Sequence, residues 1–158
     1  MAAERCIIPF RSRGEKTVVF TSHNEKETEA LGKKLALALP QGGVVIAMYG
    51  ELGAGKTAFV RGLADGLGVE GRVVSPTFTI VNEFYGKRSL FHFDMYRLGS
   101  ADELFDIGWE DYLSRGGVCA VEWSENVPEA FDGTEIRVSI EKCGETERNI
   151  TVEGIELC

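Results

Sequence analysis

The sequence predicts an α/β fold, namely a P-loop NTPase-type, three-layer domain whose sheet mixes parallel and antiparallel strands. The first observation is a glycine-rich segment at residues 50–57, GELGAGKT, between a segment typical of a buried strand (44–48) and one typical of a helix (58–67). The second is a pair of strand-like segments joined by YGKR, a link too short for the crossover that parallel strands require. The third is a C-terminal pair of segments that alternate apolar and polar residues, which indicates another hairpin.

The other elements follow from the spacing of the apolar residues. Residues 17–21 predict the first strand, and leucines four residues apart predict an amphipathic helix over 25–39, with Ser22 or Asn24 as its cap. In chain order, the remaining predictions are antiparallel strands at 78–84 and 89–94, a helical or irregular stretch at 98–114, a strand at 118–122, and terminal strands at 135–140 and 148–152.

Length and composition fit one folded unit. A chain of 158 residues can bury a core, and its 44% hydrophobic and 27% charged residues are ordinary for a globular protein. Residues 1–16 carry mixed charge and little apolar periodicity, so we expect an N-terminal tail there and a single P-loop domain over 17–158.

Charge and cysteine content exclude several classes of protein. The net charge of −8 argues against direct binding to DNA or other nucleic acid, because no broad cationic surface is available. No apolar run is long enough to cross a bilayer, and the N-terminal segment lacks the apolar core of a signal peptide, so we expect no membrane association. The four cysteines form no C-x-x-C pair, which favours a reducing cytoplasm without disulfides or zinc.

The glycine-rich segment matches the P-loop pattern G-x-x-x-x-G-K-[ST] in full. Its glycines let successive backbone N–H groups point at one anion, and the helix that follows places its N-terminus at the same point. Lys56 would reach the β- and γ-phosphates, and the Thr57 hydroxyl would bind Mg²⁺. In an empty loop we expect the Lys56 ammonium to be largely solvated.

Two acidic residues, Asp94 and Glu122, each end a predicted strand. A P-loop needs a carboxylate nearby to hold Mg²⁺ directly or through water, so at least one of the two is predicted to serve the metal. Which of them binds Mg²⁺ directly stays open, and either one alone could be a solvated acid at a sheet edge. Strand alternation places His92 on the same face as Asp94.

Other residues near these motifs have two interpretations each. Pro76 stiffens the loop before Thr77, whose hydroxyl could contact the γ-phosphate or Mg²⁺, although an ordinary turn leading into a strand explains it too. Arg97 could contact phosphate or pair with an acid. His92 reads as structural, because no nucleophile lies near it. Trp123 reads as a packing residue that could also shape the site.

In this order along the chain, GELGAGKT, SPTF (75–78), HFDMYR (92–97) and EW (122–123) resemble the motifs of the TsaE family, also called YjeE. The resemblance covers about residues 18–125. It implies an ATPase of bacterial tRNA threonylcarbamoyladenosine biosynthesis that binds ATP with Mg²⁺ and hydrolyses it slowly. It further implies action on a TsaB–TsaD pair, with tRNA reached only through those partners and the group transfer performed by TsaD.

The resemblance also assigns roles to residues. The residues implied to hold ATP or ADP are Glu25, Thr28, Gly53, Ala54, Gly55, Lys56, Thr57 and Ala58. The residues implied to serve Mg²⁺ are Thr57, Asp94 and Glu122. The residues implied to support hydrolysis are Lys56, Asp94, Glu122 and Thr77, with Thr77 as sensor of the γ-phosphate.

Two other functions are compatible with a P-loop. A small-molecule or nucleotide kinase would need an acceptor site and an arginine-rich lid, whereas the arginines after the loop are scattered along the chain. A partner-activated nucleotide switch of the GTPase type would read guanine through Asn-Lys-x-Asp, which the sequence lacks. No arginine finger is evident beside the loop, so we expect slow hydrolysis by the chain alone.

Overall fold

The structure is a computed structural model that describes residues 4–9, 16–74 and 80–157. The elements in chain order are β1 (Glu4–Pro9), β2 (Lys16–Ser22), α1 (Glu25–Ala38), β3 (Val44–Tyr49), α2 (Lys56–Gly66), β4 (Val81–Phe84), β5 (Leu90–Asp94), α3 (Ala101–Asp106), α4 (Trp109–Ser114), β6 (Val118–Glu122), two 3₁₀ helices (Ser124–Asn126 and Pro128–Ala130), β7 (Ile136–Lys142) and β8 (Arg148–Glu153).

The strands of the described residues form one sheet in the order β1-β2-β8-β7-β3-β6-β5-β4. Its centre is parallel, because β3 pairs with both β6 and β7, and β6 pairs with β5. Its flanks are antiparallel through the pairs β1–β2, β2–β8, β7–β8 and β4–β5. The predicted mixed α/β sheet is therefore confirmed, and so are both predicted hairpins.

Helices cover both faces of this sheet, as a three-layer fold requires. On one face, α1 and α2 pack against the strands through residues such as Leu35 and Phe59, which join one large hydrophobic cluster. On the other face, α3 and α4 enclose a second cluster built around Phe93 and Trp109. The two helices of the first face touch closely, since a Cβ added at Gly62 would lie 1.8 Å from the Glu29 carbonyl oxygen.

The start of α1 is held by a network of short-range hydrogen bonds. The Asn24 side chain accepts from the Glu27 N–H at 2.9 Å, so Asn24 is the cap and one of the two predicted candidates is confirmed. Ser22, the other candidate, is buried and its hydroxyl lies 2.7 Å from the Thr28 hydroxyl. This network orients Thr28 and its neighbours at the edge of the sheet where the cavity described below opens.

Two expectations differ from the structure in detail, and a third is confirmed. Residues 4–9, within the segment expected to be a tail, form β1 and pair with β2, which the mixed charge of that segment did not indicate. The stretch 98–114, expected to be helical or irregular, contains two short helices, separated where Gly108 adopts a φ of 97°. The predicted strand at 78–84 is observed from Val81 onward, while residues 75–79 lie outside the described part of the chain.

Two further features concern the helices and the cysteines of the described residues. Within the described ranges, no helix combines the length and apolar character needed to cross a membrane. Cys119 is buried in β6 and Cys143 is exposed, and both are free thiols.

Candidate functional site

A cavity of about 490 Å³ opens where the glycine-rich segment meets the carboxyl ends of β5 and β6. Four parts of the described chain line it. They are the start of α1 (Asn24, Glu25, Thr28), residues 52–58 with Arg61 of α2, the ends of β5 and β6 (Asp94, Glu122, Trp123), and the β7–β8 turn with the first residue of β8 (Glu145, Thr146, Arg148).

Nearly all the residues predicted for the site line this one cavity. They are Glu25, Thr28, Gly53, Ala54, Gly55, Lys56, Thr57, Ala58, Asp94 and Glu122. Thr77 lies outside the described residues. Arg97, a candidate phosphate contact, is exposed and does not line the cavity.

The glycine loop, residues 50–57, ends at a helix start that is open to an anion. Gly55 is the N-cap of α2 with a φ of 109°, a left-handed conformation that favours glycine. No side chain of the described residues caps this end of the helix. The first backbone N–H groups of α2, with the positive end of its dipole, therefore provide the donors that a phosphate group needs.

Lys56, the first residue of α2, is buried in the cavity wall, with only 5% of its surface exposed. Its ammonium donates to the Gly50 carbonyl at 2.6 Å and lies 3.6 Å from the centroid of the Trp123 ring. Burial lowers the pKa of Lys56, while the charges of Glu122, Glu125 and Asp94 oppose that shift. The expectation of a largely solvated lysine is thus wrong, because a carbonyl and an aromatic face replace water around its charge.

Trp123 reaches Lys56 because of an unusual backbone conformation. Its φ is 58°, in the left-handed region that bulky residues rarely adopt. The indole also contacts the ring of Tyr96, with centroids 4.9 Å apart. Strained backbone of this kind is concentrated at functional sites, and here it places an aromatic side chain over the P-loop lysine.

Asp94 and Glu122 are register partners at the ends of the parallel strands β5 and β6. One Asp94 carboxylate oxygen accepts from the Tyr96 N–H at 3.0 Å. Burial raises the pKa of Asp94, the Tyr96 hydrogen bond opposes that shift, and the charge of Glu122 adds to it. The two carboxylates therefore share one edge of the cavity with Lys56 as the nearby positive charge.

Glu122 has a partner that the sequence analysis missed. Its Oε2 is hydrogen-bonded to Nε2 of His92, and both side chains are almost wholly buried. His92 and Asp94 lie on the same face of β5, and the pairing of Asp94 with Glu122 puts His92 diagonally opposite Glu122. The register of β5 and β6 was the signal that could have predicted this contact.

Two arginines of the cavity wall were also missed. Arg148 of β8 donates from Nε to the Ala54 carbonyl at 2.8 Å and from Nη2 to the Gly53 carbonyl at 3.4 Å. Arg61 of α2 donates from Nε to Glu29 at 3.0 Å and is also bonded to Glu25. Because Arg148 is distant from the loop in sequence, no local pattern could have placed it there.

The oxygen groups at this edge suit magnesium held with phosphate. Among the residues that the structure describes, no three His, Cys, Asp or Glu side chains are grouped to hold a metal ion. The cavity offers the Asp94 and Glu122 carboxylates and the Thr57 hydroxyl. Since Mg²⁺ commonly combines one or two carboxylates with waters and substrate phosphates, this set fits Mg²⁺ arriving with a nucleotide.

Comparison with known proteins identifies similar chains. The profile of the family described as threonylcarbamoyl adenosine biosynthesis protein TsaE matches residues 22–150. The tRNA threonylcarbamoyladenosine biosynthesis protein TsaE of Treponema pallidum is 38% identical, with 83% of this chain and 96% of that protein aligned. The protein of the same name from Bacillus subtilis is 39% identical, with 89% and 87% aligned. The crystal structure of YdiB from Bacillus subtilis superposes with a TM-score of 0.73 at 34% identity, covering 92% of this chain and 90% of YdiB.

Proposed function

The chain belongs to the TsaE family of tRNA threonylcarbamoyladenosine biosynthesis proteins, and we propose that it serves this modification as a Mg²⁺-dependent ATP-binding protein with slow ATPase activity. The observation that carries the proposal is that Lys56, Asp94 and Glu122 line one cavity with the glycine loop. A phosphate-binding loop, a lysine and two strand-end carboxylates are the parts that nucleotide hydrolysis requires of a P-loop protein.

In this proposal the phosphates of ATP lie in the glycine loop. The uncapped start of α2 donates backbone N–H groups to them. Lys56 leaves the Gly50 carbonyl and the Trp123 ring and donates to the β- and γ-phosphates instead. The exchange is favourable because an anion compensates the lysine charge better than a carbonyl and an aromatic face do.

The Glu122 and Asp94 carboxylates have different roles in this proposal. Glu122 and Thr57 would hold Mg²⁺, and the bound ion would neutralise charge that develops as the β–γ bond breaks. One oxygen of Asp94 accepts from the Tyr96 N–H, and its other oxygen would accept a hydrogen bond from the attacking water.

The nucleoside end of ATP is proposed to lie between the start of α1 and the β7–β8 turn. Glu25 and Thr28 line the cavity from α1, and Glu145 and Thr146 line it from the turn. Polar side chains on both segments can orient a base and a ribose.

Slow hydrolysis and dependence on partners follow from the state of the arginines. Arg61 is bonded to two glutamates and Arg148 to loop carbonyls, so neither guanidinium is free to neutralise the transferring phosphoryl group. We propose that a TsaB–TsaD-like pair in the cytoplasm completes the site or drives its turnover. The net charge of −8 favours reaching tRNA only through such partners.

The first experiment tests nucleotide binding. A fluorescent ADP analogue is titrated against the parent protein, Lys56→Ala and Lys33→Ala, the last altering an exposed lysine that pairs with Asp65 at 3.2 Å. Lys56→Ala should lose about 1.5–3 kcal/mol of binding free energy, the value of a charge-assisted hydrogen bond, while Lys33→Ala should bind as the parent does. Equal affinities for all three proteins would contradict the proposal.

The second experiment tests the role of partners. ATP hydrolysis is followed with the chain alone, with a TsaB–TsaD pair, and with the pair plus tRNA and threonylcarbamoyl-adenylate. We expect weak hydrolysis alone, a clear rise with the pair, and repeated rounds of modification only when this chain and ATP are both present. Fast hydrolysis by the chain alone would contradict the proposed dependence, and phosphorylation of an added metabolite would indicate a kinase instead.

A further inference from the structure

His92 is a polar residue in a place where the surrounding strand is apolar. It is the middle residue of β5, it has no exposed surface, and its neighbours Phe91 and Phe93 are buried as well. Burying an imidazole costs free energy unless its nitrogens are hydrogen-bonded. A polar side chain buried in such a strand therefore calls for a compensating interaction.

The interaction that His92 makes is with Glu122. Its Nε2 is bonded to Oε2 of the glutamate, and Glu122 itself is only 3% exposed while lining the cavity. A carboxylate that binds a metal is ionised and can only accept hydrogen bonds, so in that state Nε2 of His92 is the donor. With Oε2 held in this way, Oε1 is the oxygen that Glu122 can offer to the cavity.

The other ring nitrogen argues against a purely structural histidine. Within the described residues, Nδ1 of His92 is buried without a hydrogen-bond partner. A histidine retained for packing or for cross-linking the sheet would be expected to satisfy both nitrogens, as buried polar groups generally do. Among the described residues, the hydrogen bond from Nε2 to Glu122 is therefore the polar contact that the His92 side chain makes.

We propose that His92 is the positioning residue that sets the Glu122 carboxylate for Mg²⁺. This inference rests on the proposed function, in which Glu122 holds the metal together with the nucleotide. Residues that hydrogen-bond a metal-ligating carboxylate fix its orientation, and their loss commonly lowers metal affinity 10–100-fold. His92 acts through Glu122 and does not itself touch nucleotide or metal.

The test compares three substitutions that differ in where they place a donor. The amide nitrogen of His92→Gln can reach the position of Nε2, that of His92→Asn reaches only the position of Nδ1, and His92→Phe keeps a ring without a donor. Binding of a fluorescent ADP analogue is measured across a Mg²⁺ titration and again in EDTA. His92→Asn and His92→Phe should need about 10–100-fold more Mg²⁺ for the half-maximal effect, and His92→Gln should stay close to the parent. Binding in EDTA should be the same for all, because the glycine loop is unchanged.

A matched control separates metal positioning from loss of stability. Phe91→Leu alters the buried residue that precedes His92 in β5 and lies on the opposite face of the strand. It should lower the melting temperature without changing the Mg²⁺ requirement. If His92→Phe does not fold, the Gln and Asn variants still decide the matter. The inference is overturned if His92→Phe needs no more Mg²⁺ than the parent. It is also overturned if His92→Asn, rather than His92→Gln, keeps the Mg²⁺ requirement of the parent. A parent protein that binds the analogue without any Mg²⁺ effect contradicts the metal role in the proposed function instead.

Discussion

Consecutive residues of β5 belong to two different regions of the molecule. Phe91 and Phe93 enter the aromatic cluster under α3 and α4, where the Phe93 ring meets the Trp109 ring edge-on with centroids 5.2 Å apart. His92 and Asp94, on the other face, are directed to Glu122 and the cavity. One face of the strand thus packs against aromatic rings while the other faces Glu122 and the cavity, so we expect substitutions one residue apart to have different consequences.

The largest expected effect is on the aromatic side. Phe93→Ala should lower the free energy of unfolding by about 3–5 kcal/mol, because it removes a fully buried ring and leaves a cavity. Urea denaturation followed by circular dichroism measures this change. The protein that remains folded should bind an ADP analogue with nearly parental affinity. A stability loss below about 1 kcal/mol would contradict the claim that the aromatic face stabilises the fold.

Asp94→Asn should show the opposite pattern. The amide keeps an oxygen for the Tyr96 N–H but cannot act as a carboxylate, so single-turnover ATP hydrolysis should fall about 100-fold, within the range for loss of an acid–base group. Burial raises the pKa of Asp94, which means that its ionised form is less favourable in the folded protein than in the unfolded chain. The melting temperature of Asp94→Asn at pH 7 should therefore equal or exceed that of the parent. A marked drop in melting temperature would assign Asp94 to stability instead.

A smaller effect is expected at the contact between β8 and the glycine loop. Arg148→Lys loses the forked contact to the Ala54 and Gly53 carbonyls and should weaken ADP binding by about 1–2 kcal/mol, the net value of one or two hydrogen bonds. The control Arg137→Lys alters an arginine that pairs with Glu135 at 3.0 Å and does not line the cavity. Titration of the same analogue compares the two, and equal affinities would show that the loop does not need Arg148.

The smallest expected effect is a change in the reactivity of Cys119, which lies on the aromatic face of the sheet. Cys119 pairs with Phe91 in register, and burial raises the pKa of its thiol to about 12. Because the thiolate is the reactive form, alkylation at pH 8 should modify the exposed Cys143 and spare Cys119 in the folded parent. Peptide mapping by mass spectrometry measures both sites. Labelling of Cys119 should appear in Phe93→Ala, where that face opens more often, and rapid labelling in the parent would contradict the burial.

The elements of β5 and β6 could be predicted because their signals are local. Alternation in LFHFD separates Phe91 and Phe93 from His92 and Asp94, and the structure confirms that separation. The ends of both strands were predicted as well, which placed Asp94 and Glu122 at an edge. The strand β1 was not predicted because its own residues show no strand pattern, and it is recognised only by its pairing with β2.

Three features follow from residues close together in the chain, and the sequence is enough to predict them: the loop that resembles a phosphate site, the order of the strands and helices from β2 onward, and the carboxylates at strand ends. The contact of Lys56 with Trp123, of His92 with Glu122, and of Arg148 with the glycine loop became visible only in the folded protein. Those contacts depend on sheet register and on segments that meet across as many as 95 positions of sequence separation. Local periodicity sets which face a side chain occupies, but the packing of distant strands sets what it touches there.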